Sequence, residues 1–183
     1  MKLRIALPRL ETLDELQGEL LVLSCFVDDR PLRGLTGLCD WRLNGQLSRL
    51  VLREFVDAHW LEATLLPCGD RLPFDRLLLV GLGRRSEFTA QRFEETCRFV
   101  FARVHSLRVQ HYAMMLPGRI GVEVGLRQAL VAWRRAVVEA YAQQAHGPMA
   151  LTLLEPQDLH RELLEPLASL ERELGDGVMR AVG

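Results

Sequence analysis

The residues best suited to chemistry are Gly81-Leu82-Gly83-Arg84-Arg85. They follow an apolar run, 74–80, and precede a segment of helical period, so they sit where a strand turns into a helix. Such a turn can aim backbone N–H groups at an anion, and the following helix N-terminus adds favourable dipole. Two arginines would add bidentate donors. Gly81, Gly83, Arg84 and Arg85 are therefore the candidate ligand-binding residues, with phosphate or nucleotide as the class of ligand. The competing reading is a tight turn with two solvated arginines. The pattern is neither G-x-x-x-x-G-K-[ST] nor G-x-G-x-x-G, because Ser86 takes the place of the last glycine.

Other reactive residues are scattered. His59, Cys68 and Asp70 match no metal-ligand spacing, and His105 and His111 flank a turn without a partner carboxylate motif. No metal site and no cofactor are expected. A Cys97–His105 nucleophile pair would need Cys97 to be accessible, yet Cys97 lies on the apolar stripe of a predicted helix. No catalytic residue is assigned. The four cysteines, Cys25, Cys39, Cys68 and Cys97, form no C-x-x-C pair and read as buried free thiols of a reducing compartment. Lys2 is the only lysine, so no internal lysine can serve as a Schiff-base nucleophile or a P-loop phosphate ligand. Arg127, Arg134 and Arg135 share a segment with Trp133, but an amphipathic helix accounts for that pattern.

Composition sets the limits around these groups. The 183 residues carry 23 Lys+Arg against 24 Asp+Glu, a net charge of −1, so no global field draws the chain to nucleic acid or an anionic membrane. No apolar run is long enough to span a bilayer, and no signal peptide is expected from Met1-Lys2-Leu3-Arg4, which meets a charged residue by Glu11 without an apolar h-region. A cytoplasmic setting is expected. At 49% apolar and 26% charged the chain can build one sizeable core.

The elements that must position the candidates alternate. Residues 3–7, 20–27, 60–66, 74–80, 107–116 and 149–154 read as strands, with 60–66 and 74–80 pairing antiparallel. The continuous apolar run 20–27 suits a strand buried on both faces. Residues 35–53 have helical period with Gly45 inside, read as a site of close packing; 11–19 is read as a turn. Helices follow from Ser86 or Thr89 to 104, from 126 to 141 and from Asp158 to 174, with Pro166 interrupting the last. The whole predicts an α/β fold with a mixed, mostly parallel sheet between helical layers. One domain is expected over 1–175, with a loose tail at 176–183 and a loose loop at 118–124.

Three stretches in order carry a family resemblance. They are Leu21-Val22-Leu23-Ser24-Cys25-Phe26 followed by Asp40, Gly45 and Leu47; Val80-Gly81-Leu82-Gly83; and Leu116-Pro117 before a long helix. Together they resemble the N-terminal domain of the leucyl (cytosol) aminopeptidases over roughly residues 20–155. The resemblance implies a macro-domain-like three-layer α/β/α sandwich. It also implies that catalysis is not carried over. The family's metal motif, Asn-Thr-Asp-Ala-Glu-Gly-Arg, is absent, and its catalytic lysines cannot be supplied by Lys2. In macro domains a strand-end aspartate contacts the adenine of ADP-ribose; Asp28-Asp29 closes a strand here but reads as a solvated turn. The expectation is a stand-alone, non-catalytic domain, an interaction or regulatory module with a protein partner or self-association. The alternative is binding or hydrolysis of an ADP-ribose-like nucleotide. The small-molecule ligand, if any, is unknown.

Overall fold

In the computed structural model, residues 1–118, 124–142 and 150–180 are described. The loop expected at 118–124 therefore lies mostly outside the described residues, as do the last three residues of the expected tail. Residues 176–180 continue a helix.

Six strands form one sheet: β1 (Lys2–Ala6), β2 (Gly18–Cys25), β3 (Ala63–Pro67), β4 (Phe74–Gly81), β5 (His111–Met114) and β6 (Ala150–Leu154). Their order is β1-β6-β5-β2-β4-β3, parallel throughout except for the antiparallel edge pair β3–β4. The helices are α1 (Leu10–Glu15), α2 (Gly34–Arg42), α3 (Gln46–Leu52), α4 (Ala90–Ser106), α5 (Leu126–Ala142) and α6 (Gln157–Arg180). None among the described residues is long and apolar enough to cross a membrane.

Strand pleat assigns the layers. Side chains alternate across a strand, so Leu20 and Val22 enter one core while Leu21, Leu23 and Cys25 enter the other. The first core receives Phe93, Cys97, Val100 and Val104 of α4, Trp133 and Val137 of α5, and Leu163, Leu167 and Leu170 of α6. The second receives Leu13 of α1, Leu35 and Cys39 of α2, and Leu47 and Val51 of α3. This is the three-layer α/β/α sandwich with a mostly parallel mixed sheet. Both faces of β2 are covered, so its run needs no polar alternation. Each fully buried aliphatic or aromatic side chain contributes about 1.5–3 kcal/mol. Phe93→Ala alone would cost about 3–5 kcal/mol.

Local details depart from the sequence reading. Residues expected only to turn the chain include helix α1, held by Leu13, which is wholly buried. The single helix expected over 35–53 is two. Asn44 and Gly45 both take left-handed backbone, φ 56° and 73°, and end α2. The Asp40 carboxylate then accepts the Ser48 N–H (3.0 Å) and hydroxyl, capping α3 from outside it. The Asp40–Gly45–Leu47 spacing is thus a helix-break device: carboxylate cap, left-handed hinge, buried anchor. Gly45 serves the hinge rather than close packing. Strand β3 starts at Ala63, after the turn carrying Trp60. Strand β5 is only His111–Met114. Thr89, not Ser86, caps α4, accepting from the Arg92 N–H at 3.3 Å. Helix α6 runs through Pro166.

Candidate functional site

Strands β2, β4 and β5 are parallel and in register, so their carboxyl ends converge on one edge of the sheet. Open α/β sheets bind ligands in the crevice at such ends. A cleft of about 130 Å³ lies there, lined by Ser24, Phe26, Asp29, Arg33, Thr36 and Arg85 among others. Small-molecule pockets usually offer about 300–1,000 Å³, so this one is small.

Its own side chains account for that. Arg85 lies over the Phe26 ring, 4.3 Å from the centroid, and donates to the Asp29 carboxylate at 2.7 Å. Asp29 is 6% exposed. Its carboxylate also accepts the Phe26 N–H at 3.3 Å and has Arg33 at 3.9 Å. Phe26 meets Phe88 edge-on, centroids 5.2 Å apart. On the opposite wall the Thr36 hydroxyl donates to the Ser24 carbonyl at 2.7 Å. The cleft is therefore spanned by an aromatic–guanidinium–carboxylate stack.

Within the candidate turn, the N–H groups of Gly81, Gly83 and Arg85 are directed at groups of the protein itself. The Gly81 N–H donates to the Glu62 carbonyl (2.8 Å), Leu82 N–H to Cys25 (3.0 Å) and Gly83 N–H to Ala58 (3.0 Å). The Arg85 N–H donates to the Asp28 carboxylate at 3.0 Å. These N–H groups are occupied by the protein itself. Arg84 is exposed, and the Arg85 guanidinium is held by Asp29. The glycines have steric causes instead. A Cβ on Gly81 would stand 2.1 Å from the His59 carbonyl oxygen, and Gly83 adopts φ 71°. Asp28 is exposed as expected, but Asp29 is buried and ion-paired rather than solvated. The stack was not legible from the chain because its members stand 56 residues apart. The available signal was the parallel register Cys25↔Gly81, which brings the residues following each strand end alongside one another.

The remaining candidates stay apart. His59 pairs with Asp57 at the surface. His111 lies 3.8 Å from Glu19. Among the described residues no three of His, Cys, Asp and Glu converge on a point a metal could occupy. All four cysteines are free and buried. Burial pushes Cys25 and Cys39 up to about 12 and Cys68 up to about 11, and pushes Cys97 higher still, which disfavours the thiolate of each at neutral pH. Arg134 pairs with Glu173 (2.6 Å) and Arg135 with Glu94 (3.1 Å), which uses the helix cations inside the protein. A further buried carboxylate, Glu155, accepts the Leu116 N–H at 2.8 Å beyond the end of β5; no spacing in the chain pointed to it.

Comparison with known proteins follows this geometry. The family described as "Cytosol aminopeptidase family, N-terminal domain" matches residues 22–146. A probable cytosol aminopeptidase from Geobacter sp. (strain M21) is 29% identical over 168 residues, covering 88% of this chain and 33% of that protein. The chain thus spans about a third of the length of that relative. Among solved structures, a tomato leucine aminopeptidase mutant superposes with a TM-score of 0.65 at 17% identity, over 96% of this chain and 36% of that one. A Trypanosoma brucei macrodomain in complex with ADP gives 0.68 at 13% identity, over 90% and 67%. These likenesses show a macrodomain-like fold.

Proposed function

The chain belongs to the cytosol aminopeptidase family as its N-terminal domain, and from that premise we propose that it is a non-catalytic protein-interaction or regulatory module. The observation that carries this reading is the state of the strand-end cleft. At the strand-end crevice, Arg85 is stacked on Phe26 and clamped by Asp29, beside a cleft of about 130 Å³. The described residues bring together no metal-ligand group, and the sole lysine lies on edge strand β1. At the surface, Trp41, Leu52 and Phe55 of the α2–α3 layer are 71%, 68% and 73% exposed, apolar area of the kind that marks contact with another protein. A cytoplasmic setting is part of the proposal, since four buried free thiols suit a reducing compartment.

A second reading, an ADP-ribose-like nucleotide in the cleft, is favoured by one observation: the cleft lies at parallel strand ends. Isothermal calorimetry with ADP-ribose separates the two. We expect no saturable heat and no shift in melting temperature at about 1 mM ligand, where even millimolar affinity would register. Saturable binding would sink the interaction reading as the primary one. Turnover of leucyl amides by this chain in the presence of zinc or manganese would overturn the non-catalytic assignment.

A further inference from the structure

Helices α5 and α6 leave a trough between them on the outer side of their layer. Two hollows, about 480 and 280 Å³, both border Val131 and Arg134. The floor of the trough holds Leu130, Leu170 and the buried Trp133, and Val131 stands 56% exposed on its α5 edge. The outward ridge of α5 carries Arg127, Val131, Arg134 and Val138, spaced four, three and four residues apart. The rims have opposite sign: Arg127 and Arg134 on α5, Glu162 and Glu165 on α6. Arg134 already bonds Glu173, whereas Arg127, Glu162 and Glu165 make no ion pair among the described residues.

We propose that a second copy of this chain docks in the α5–α6 trough, with α5 of each copy seated between α5 and α6 of the other. The proposal rests on the interaction reading above and names the partner. A two-fold axis across the trough sets the basic edge of one copy against the acidic edge of its partner, twice. Any other partner would have to reproduce this bipolar pattern, whereas a second copy carries it necessarily. Each chain has a net charge of −1, so the copies do not repel appreciably. The ridge from Arg127 to Val138 is about 17 Å long. A face two helices wide over that length buries on the order of 1,000 Å² in total, at the lower limit of specific interfaces. The dimer is therefore weak and concentration-dependent.

Sedimentation velocity on the full chain over about 10–500 µM tests it, a range that spans the affinities such small interfaces reach. The expected result is a rise toward twice the monomer mass. Val131→Glu is expected to weaken association at least tenfold, and Glu15→Lys, on α1 of the opposite layer, to leave it unchanged. Arg127→Glu alone and the Glu162→Arg/Glu165→Arg pair alone are each expected to be monomeric, and their equimolar mixture to dimerise. All five positions are exposed, and unchanged melting temperatures check that the variants remain folded. A monomer across the range overturns the second copy as partner, as does a dimer indifferent to Val131→Glu or a mixture that fails to rescue. None of these results touches the broader interaction reading, which falls on saturable nucleotide binding instead.

Discussion

Replacing Arg85 by alanine tests whether the strand-end cleft is closed by a stabilising clamp. Among the interactions of the wild-type guanidinium, two have a worth that can be bounded. Its stacking on Phe26 at 4.3 Å contributes about 0.5–2 kcal/mol. Its bond to Asp29 neutralises a carboxylate whose side chain is 9% exposed. Stranding one partner of a fully buried pair costs about 3–5 kcal/mol. Arg85 is 26% exposed, so solvent screens part of that, and the sum for the variant comes to about 2–4 kcal/mol. Arg33, at 3.9 Å and 70% exposed, is too loosely placed to substitute. For a chain of this length the melting temperature should fall by roughly 4–16 °C. Urea unfolding followed by circular dichroism gives the free energy directly. The decisive comparison is Arg85→Ala combined with Asp29→Asn. The neutral amide can still accept the Phe26 N–H but leaves no unpaired buried charge, so the double variant should be more stable than Arg85→Ala by about 1–2 kcal/mol. A loss below about 1 kcal/mol for Arg85→Ala, or losses that simply add in the double variant, would refute the clamp.

Four further outcomes follow from buried groups. The Tyr112 hydroxyl is buried with no hydrogen-bond partner among the described residues, so Tyr112→Phe should raise unfolding free energy by about 1–2 kcal/mol, measured by urea titration. Gly81→Ala would push a methyl against the His59 and Ala58 backbone, and should cost more than about 3 kcal/mol, seen as lost soluble yield or a collapsed melting temperature. Burial raises the folded-state pKa of Cys25 and Cys39 from about 9 to about 12. The folded protein therefore holds these protons more tightly than the unfolded chain. Their contribution is complete below about pH 9 and is lost as pH rises toward 12, so melting temperature should fall steadily over that window. At pH 8 a thiol reagent should label none of the four cysteines until denaturant is added; rapid labelling of the native protein would contradict their burial.

Much of the architecture was written in local pattern. The run 20–27 demanded burial on both faces, and 74–80 and the stripe Phe93–Cys97–Val100–Val104 demanded a strand and a helix against it; each lies where its periodicity puts it, because period and pleat act over a few residues. The order of the Asp40–Gly45–Leu47 and Val80–Gly83 stretches was enough for the family resemblance, which the match over 22–146 shows. Patterns of two residue classes could not separate a glycine that packs from one that bends, so the break at Asn44-Gly45 was hidden inside a continuous helical period. Helix α1 was hidden too, since a single buried leucine among acidic residues is too little periodicity to see. The candidate site was the least legible part. Gly81-Leu82-Gly83-Arg84-Arg85 offers donors on paper, but whether they face a ligand depends on what the neighbouring strand ends supply. Only parallel register brings Phe26 and Asp29 of the β2 side against Arg85 of the β4 side, and there backbone carbonyls and the carboxylates of Asp28 and Asp29 take up groups the isolated motif would present. Hydrogen-bonding capacity belongs to a residue type; whether it is spent inside the protein is decided by residues far away in the chain.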